Sequence, residues 1–224
     1  LTRRFPIGPI AGISPFNFPL NLVSHKVAPA LACGNPIIIK PASSTPLTAL
    51  LLNEVVLNTG AIEGSLSVLP CSNVNATPLI EDPRLKMISF TGSPEVGWNM
   101  KQRAGKKKVV LELGGNAGVI IEPDADINLA AKKTAFGAFV YSGQVCISVQ
   151  RVYVHSSKFD NFLEKLIQET KNKLGKIDTL INNAGTFQDT DFENINVCRK
   201  LKVFTIFFII FFNQVISFER KFHF

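Results

Sequence analysis

Short apolar runs alternate with longer amphipathic stretches over roughly the first 170 residues of the chain. The short runs are rich in branched aliphatic residues, and the stretches between them repeat apolar residues at helical spacing. This alternation is typical of parallel strands connected by helices. It predicts an α/β protein with an open, mostly parallel sheet and helices on both faces of that sheet.

The same pattern locates the individual elements. The strands are predicted at Ile7–Ile13, Pro36–Lys40, Ser67–Leu69, Met87–Phe90, Val109–Leu113, Val119–Ile121 and Val152–His155. The helices are predicted at Leu22–Ala32, Pro46–Asn58, Val74–Ile80, Pro94–Ala104, Ile127–Ala138 and Lys158–Lys173. Thr45 and Ser93 are candidate N-caps because each precedes a proline at a first helical position. Gly60 and Gly105 are the expected helix stops.

The last 24 residues have a different composition. Eight of the 18 phenylalanines fall between Leu201 and Phe224, and Val203–Phe212 reads VFTIFFIIFF. This run shows neither the alternation of a half-buried strand nor the polar face of a surface helix. It is also too short to span a bilayer. We therefore expect no membrane attachment and an exposed, aggregation-prone tail.

Charge and cysteine content limit the binding partners and the cellular compartment that can be expected for this protein. The 224-residue chain carries a net charge of +7, and we interpret its densest basic run, Lys106–Lys108, as a solvated connection and not as a nucleic-acid site. The four cysteines form no C-x-x-C pair and only three histidines are present, so no metal site is expected. Free thiols and the lack of a signal-peptide pattern after Leu1 predict a cytoplasmic location.

Five short motifs follow one another along the predicted strand ends. They are Pro15–Pro19 (PFNFP), Lys40–Pro46 (KPASSTP), Phe90–Ser93 (FTGS), Glu112–Gly115 (ELGG) and Gly143–Cys146 (GQVC). In this order they closely resemble the aldehyde dehydrogenase superfamily. The resemblance runs from about Pro6 to about Leu174 and implies an incomplete version of that family's Rossmann-like fold. The string from Asn99 to Leu166 resembles the non-phosphorylating branch that takes small hydroxy- or phospho-substituted aldehydes.

The resemblance implies oxidation of a small aldehyde to a carboxylic acid through a cysteine thiohemiacetal and a thioester. Cys146 stands at the position of the nucleophile, since a thiolate can attack a carbonyl carbon. Asn17 stands at the position of the amide that stabilises the resulting oxyanion. Glu112 stands at the position of the general base that activates water for thioester hydrolysis. Gly114 and Gly115 are expected to let the chain turn sharply beside it.

Each catalytic candidate also has a simpler explanation when it is taken alone. A single cysteine after an apolar helix is usually a buried small hydrophobe. A single asparagine between prolines is usually a turn residue, and a glutamate at a strand end is usually solvated. The shared order of the five motifs favours the catalytic interpretation. Cys33, Cys71 and Cys198 match no catalytic position.

Cofactor-binding candidates follow from the same resemblance. No G-x-G-x-x-G motif is present. Instead, the candidates for binding a pyrophosphate are Phe90, Thr91, Gly92 and Ser93. A predicted strand ends and a predicted helix begins at these residues, and the free N–H groups at the helix start can bind the pyrophosphate. Gly97 allows close packing one turn later, and Lys40 resembles the family lysine that contacts the adenosine ribose. Ser43 stands where NAD-preferring members often have a glutamate that repels a 2′-phosphate, so the cofactor is NADP or NAD, with a slight preference for NADP.

The end of the chain departs from this family. Gly175–Gly185 resembles a short-chain dehydrogenase segment, but the Tyr-x-x-x-Lys pair of that family is absent. We interpret residues 1–113 as a partial nucleotide-binding domain, 114–174 as the start of a catalytic domain, and 175–224 as an unrelated segment with a Phe/Ile-rich tail. The alternative function is a catalytically inactive truncated or chimeric fragment that at most binds nucleotide. Uncovered apolar surfaces predict poor solubility or self-association as a homo-oligomer.

Overall fold

A computed structural model describes residues 3, 5–175, 179–185 and 201–209 of the chain. The chain divides into two units, Leu1–Gly114 and Gly115–Phe224. Within the described residues, each unit contains one β-sheet. Every strand and helix that the hydrophobic pattern predicts overlaps an observed element, and the predicted α/β class is confirmed.

Five parallel strands form the sheet of the first unit. They are β1 (Ile10–Ile13), β2 (Ile37–Lys40), β3 (Leu66–Val68), β4 (Met87–Thr91) and β5 (Lys108–Glu112). Their spatial order is β3-β2-β1-β4-β5, so the chain starts in the middle, builds one side, and then crosses β1 to build the other. In open sheets with such a reversal, ligands bind at the carboxyl ends of the strands beside the reversal.

Helices cover both faces of this sheet. They are α1 (Asn21–Ala32), α2 (Leu47–Asn58), α3 (Thr77–Glu81) and α4 (Pro94–Arg103). Successive strand residues point to opposite faces, and the buried side chains divide accordingly. Ile10, Ile37 and Ile39 pack with residues of α1 and α2, whereas Ala11 and Ile88 pack with residues of α3 and α4. Each large aliphatic side chain that is fully buried contributes about 1.5–3 kcal/mol to the folded state.

The second unit contains a mixed sheet with two helices. Its elements are β6 (Ala117–Ile121), α5 (Ile127–Phe139), β7 (Val149–His155), α6 (Phe159–Leu174), β8 (Thr179–Gly185) and β9 (Leu201–Ile209). Their strand order is β6-β7-β9-β8, with β6 and β7 parallel and the remaining pairs antiparallel. Val152, Val154, Phe162 and Leu166 are completely buried between this sheet and its two helices.

The C-terminal strands differ from the sequence-based expectation. The Phe/Ile-rich run was expected to form no regular element, but Leu201–Ile209 is a strand that pairs with both β7 and β8. The strand conformation of this run comes with backbone pairing along both of its edges, which the absence of alternation did not reveal. The Asn-Asn-Ala-Gly sequence forms the last four residues of β8. Residues 210–224 of the tail lie outside the described residues.

Helix boundaries are partly as expected. Gly60 and Gly105 follow α2 and α4 with φ of 77° and 62°, the left-handed conformation that suits glycine at a helix end. The predicted Thr45 cap is wrong, because the Thr45 hydroxyl is buried and has no hydrogen-bond partner. Ser93 precedes α4 in an extended conformation, and its side chain makes no capping hydrogen bond.

Several apolar side chains remain exposed on the first unit. Leu47, Leu51 and Val55 form a stripe along α2 and are 71%, 62% and 60% exposed. Exposed stripes of this kind favour association, so the predicted self-association stays a prediction with a structural reason. None of the helices in the described part of the chain is both long enough and apolar enough to cross a bilayer.

Candidate active site

The candidate residues of the first unit meet at one edge of the parallel sheet. Lys40 and Phe90 lie at the same level as Ile13 on neighbouring strands, and Thr91 lies beside Glu112. All these positions are at the carboxyl ends of their strands. The sheet therefore collects the Lys40, Phe90–Ser93 and Glu112 candidates at the edge where open α/β sheets bind ligands.

Asn17 lies on the connection between β1 and α1. This connection leaves the same edge of the sheet, because β1 ends at Ile13 and α1 begins at Asn21. The residue is half-buried. Its placement on a short loop between two packed elements suits a side-chain amide that must hold a fixed direction.

Lys26 is a functional candidate that the motif analysis missed. Its side chain is buried, and its Nζ donates hydrogen bonds to Thr91 Oγ1 at 2.6 Å and to Ser89 Oγ at 3.4 Å. Burial lowers the pKa of Lys26 from 10.5 to about 8, and the nearby Glu112 carboxylate opposes this shift. Glu112 itself ends β5 with its side chain exposed. A buried lysine near a carboxylate at a strand edge is a candidate for proton handling.

A signal for Lys26 was present in the sequence. Val23, Lys26, Val27 and Ala30 recur at helical spacing, and all four are buried on one face of α1. A lysine on an otherwise apolar helical face has to find polar partners or lose its charge. The pattern could have identified Lys26 as unusual, but it could not have identified Thr91 and Ser89 as its partners, because they lie 65 and 63 residues away.

The start of α4 fits an anionic ligand such as a pyrophosphate. Ser93 leaves the first amides of this ten-residue helix without a side-chain cap, and the Gly92 amide donates to the Glu112 carbonyl at 3.0 Å. A Cβ placed on Gly97 would lie 2.6 Å from Leu113 Cδ2 and 3.1 Å from the Phe90 ring. Only glycine lets α4 approach the sheet this closely, so the expected close packing at Gly97 is found.

Lys40 and Ser43 follow β2 at the neighbouring strand end. Lys40 is buried, and its Nζ donates to the Pro41 carbonyl at 3.4 Å, whereas Ser43 is exposed in the turn that follows. No acidic side chain occupies position 43. A phosphate group near this turn would therefore meet no repulsion from residue 43.

Cys146 lies in the second unit, on the connection between α5 and β7. The thiol is free and exposed. The connection contains three consecutive residues in the left-handed conformation, Tyr141, Ser142 and Gly143, with φ of 55°, 56° and 70°. This conformation costs roughly 1 kcal/mol or more for each residue other than glycine and is concentrated at functional sites. The cysteine is thus held on a strained loop and is not the buried small hydrophobe of the simpler explanation.

Gly114 and Gly115, which were expected to let the chain turn sharply, lie between β5 and β6. Neither residue has a positive φ. A Cβ on Gly114 would make only ordinary contacts with the Pro94 ring, at 3.7 and 3.9 Å, but a Cβ on Gly115 would overlap the carbonyl oxygen of Cys146. Gly115 is therefore required for a close approach and not for its backbone freedom.

The predicted residues are shared between the two units. Asn17, the cofactor candidates and Glu112 belong to the first unit, and Cys146 belongs to the second. In the described part of the chain, no three histidine, cysteine, aspartate or glutamate residues are placed to hold a metal ion.

Comparisons with known proteins identify the family of the chain. A family model described as the aldehyde dehydrogenase family matches residues 1–186. The 3-sulfolactaldehyde dehydrogenase of Priestia aryabhattai is 44% identical over 171 residues, which cover 76% of this chain and 36% of that protein. Aldehyde dehydrogenase 21 from Physcomitrella patens, solved in complex with the reaction product succinate, is 48% identical with a TM-score of 0.68, covering 75% of this chain and 35% of the other.

A third relative was solved with a nucleotide. The NADP-dependent glyceraldehyde-3-phosphate dehydrogenase from Bacillus halodurans C-125, complexed with NADP, is 38% identical with a TM-score of 0.73, covering 75% of this chain and 36% of the other. The chain belongs to the aldehyde dehydrogenase family, and the predicted resemblance is confirmed. It spans 36% of the length of the Priestia relative and 38–39% of the related lactaldehyde dehydrogenases of Methanococcus.

Proposed function

We propose that this chain carries the nucleophile and the nucleotide-binding edge of an enzyme that oxidises an aldehyde to a carboxylic acid with NADP or NAD. The main support is the exposed, free thiol of Cys146 on a strained loop, in a chain that belongs to the aldehyde dehydrogenase family. In this proposal residues 1–113 form part of the nucleotide-binding domain and residues 114–174 begin the catalytic domain. Residues 175–224 form a separate segment.

Cys146 acts first in the proposed reaction. Its thiolate sulfur bonds to the carbonyl carbon of the aldehyde, and the carbonyl oxygen takes up the negative charge. The Asn17 amide and the backbone N–H of Cys146 donate hydrogen bonds to that oxygen. A preorganised donor of this kind lowers the barrier by about 3–4 kcal/mol.

Glu112 acts in the hydrolytic half of the reaction. It accepts a proton from the water that attacks the thioester carbon, and the Cys146 sulfur leaves as the acid is released. The Glu112 carboxylate lies close enough to act electrostatically on Lys26, whose ammonium is buried against Thr91. Below about pH 8 Lys26 thus places a positive charge beside the general base.

NADP or NAD, when bound, supplies the acceptor for the aldehyde hydride. The uncapped amides at the start of α4 suit its pyrophosphate, and the close packing at Gly97 supports that position. Lys40 is assigned to the adenosine ribose. We favour NADP slightly, because Ser43 cannot repel a 2′-phosphate and the Bacillus halodurans relative was solved with NADP.

The proposed substrate is a small aldehyde that carries a hydroxyl or an anionic group. The similar proteins include a 3-sulfolactaldehyde dehydrogenase and several lactaldehyde dehydrogenases. This class also agrees with the resemblance of residues 99–166 to the branch that takes hydroxy- and phospho-substituted aldehydes. A cytoplasmic location is proposed because the three described cysteines are free thiols.

A second candidate function is nucleotide binding without catalysis. It is favoured by the division of the candidates, since the whole nucleotide-binding edge lies in the first unit and the thiol lies in the second. In that case the chain binds NADP or NAD but does not oxidise any aldehyde.

A single-turnover assay distinguishes the two functions. The chain is mixed with NADP or NAD and a panel of short hydroxy-, sulfo- and phospho-substituted aldehydes, and the absorbance of the reduced nucleotide is followed. We expect a burst that Cys146→Ser abolishes and that Cys33→Ser, which changes another exposed thiol, preserves. Nucleotide binding without a burst, from folded protein, would support the second function.

A further inference from the structure

We propose that Gly115 is a positioning residue for the Cys146 thiol, an inference that rests on the proposed role of Cys146 as nucleophile. A Cβ built on Gly115 would overlap the carbonyl oxygen of Cys146 and would lie 3.1 Å from its carbonyl carbon and 3.9 Å from its Cα. The backbone of Gly115 is thus the surface against which the Cys146 peptide rests. Any side chain at position 115 has to displace one of the two segments.

The segment that contains Gly115 is held in place. Arg151 on β7 donates from Nη2 to the carbonyl oxygen of Asn116 at 3.2 Å, and from Nη1 to the Tyr153 hydroxyl at 3.0 Å. Ala117, which follows Asn116 in the chain, already pairs with Val149 in the sheet. Gly115 therefore cannot move away from Cys146 without breaking the Arg151 hydrogen bond or the start of the β6–β7 pairing.

The loop that contains Cys146 is held from its other side. Ser148 is buried, its Oγ donates to the Ala138 carbonyl at 3.0 Å, and its amide donates to the Val145 carbonyl at 3.0 Å. Gly143 also lies close to the Ala138 carbonyl, since a Cβ on Gly143 would lie 3.3 Å from that oxygen. These hydrogen bonds fix both ends of the short segment that carries the thiol.

A methyl group at position 115 should therefore re-aim Cys146 without changing its chemistry. The overlap falls on the Cys146 carbonyl, so the peptide has to rotate or shift, and the direction of the amide N–H and of the thiol changes with it. Misplacement of a reacting group by about 1 Å can reduce turnover roughly a hundredfold. We expect a reduction of that size in Gly115→Ala.

Gly114→Ala is a matched control. It makes the same chemical change one residue earlier, where the new methyl group would meet only the Pro94 ring at ordinary distances. Neither glycine has a positive φ, so neither alanine is strained by the backbone conformation of its own position. A difference between the two variants then reports the contact with Cys146.

The test measures thiol reactivity in the full chain. Wild type, Gly114→Ala and Gly115→Ala are treated with iodoacetamide over a range of pH, and the alkylation of Cys146 is compared with that of exposed Cys33 by mass spectrometry. We expect the Cys146 rate and its pH profile to change in Gly115→Ala alone, with Cys33 unchanged in all three. Equal Cys146 profiles in the three proteins would overturn the proposal.

Arg151→Lys provides a second test that does not crowd the loop. It removes the hydrogen bond to the Asn116 carbonyl and should free the Gly115 segment to move, so the Cys146 profile should change again. An unchanged profile in Arg151→Lys together with an unfolded Gly115→Ala would overturn the positioning role. A shifted profile in chains whose wild type oxidises no aldehyde would support the positioning and contradict the proposed function.

Discussion

Lys26 is a charged side chain of the first unit that lies in an environment very different from water. It is 7% exposed and hydrogen-bonded to Thr91 and Ser89. Its pKa of about 8 lies below the ordinary 10.5. Between these two values the folded chain binds fewer protons than the unfolded chain, so the contribution of Lys26 to the free energy of unfolding rises with pH. Below pH 8 both states are protonated and the contribution is constant.

We predict that this rise between about pH 8 and 10.5 amounts to at most about 3 kcal/mol. Urea unfolding of wild type and Lys26→Met at several pH values measures it, because the methionine keeps the apolar stem and removes the titrating amine. Lys132→Met, at an exposed position, serves as the control. Parallel stability curves for wild type and Lys26→Met would show that Lys26 does not titrate in this window.

The sequence could identify individual candidates only where a motif or a spacing exposed them. Glu112 and Cys146 were found because Glu112 begins one recognisable motif and Cys146 ends another, and the structure places Cys146 on an exposed loop. Lys26 belongs to none of the motifs, and its polar partners come from β4, far away in the sequence. The requirement for glycine at position 115 likewise depends on a contact with a residue 31 positions later, which no local pattern can contain.

At the scale of elements, the approach of α4 to the sheet depends on one residue. Gly97 faces Leu113 and the Phe90 ring at distances that leave no room for a side chain. We predict that overpacking in Gly97→Ala costs about 1–3 kcal/mol. The higher helix propensity of alanine offsets about 1 kcal/mol of this cost, so the free energy of unfolding should fall by up to about 2 kcal/mol.

Urea unfolding and nucleotide titration together check this prediction. Gly97→Ala should also weaken NADP binding, because the displaced helix carries the amides assigned to the pyrophosphate. Asn99→Ala, an exposed change on the same helix, should leave both properties nearly unchanged. Wild-type stability and affinity in Gly97→Ala would mean that α4 can move away from the sheet at no cost.

The predicted elements were found wherever local pattern and tertiary environment agree. In the first unit the βα alternation places every element because parallel strands buried on both faces must be apolar. β9 was not foreseen, since its run of apolar residues has the period of neither a half-buried strand nor a surface helix. Its strand conformation comes from pairing with β7 and β8, and pairing partners are not encoded in the run itself.

At the scale of the whole molecule, nucleotide binding should stabilise the chain. A ligand that binds only the folded state at a hundred times its dissociation constant adds about 2.7 kcal/mol to the free energy of unfolding. We predict that NADP produces this effect in thermal unfolding experiments and that Ser43→Glu weakens it for NADP more than for NAD. Ser44→Glu, at the next exposed position, tests whether a negative charge anywhere in this turn is sufficient to weaken the stabilisation by NADP. No stabilisation by either nucleotide would contradict the assigned binding edge.

The position of β9 between β7 and β8 also matters while the ribosome is making the protein. β7 ends at His155, and β9, which pairs with its free edge, begins 46 residues later. At about 5–20 residues per second, the open edge of β7 waits for its neighbour for about 2–9 s. The first sheet also contains a delayed pairing, because β1 ends at Ile13 and its neighbour β4 begins 74 residues later. The newborn chain therefore has a time window in which a bare strand edge can pair with another nascent copy, and slower translation lengthens that window.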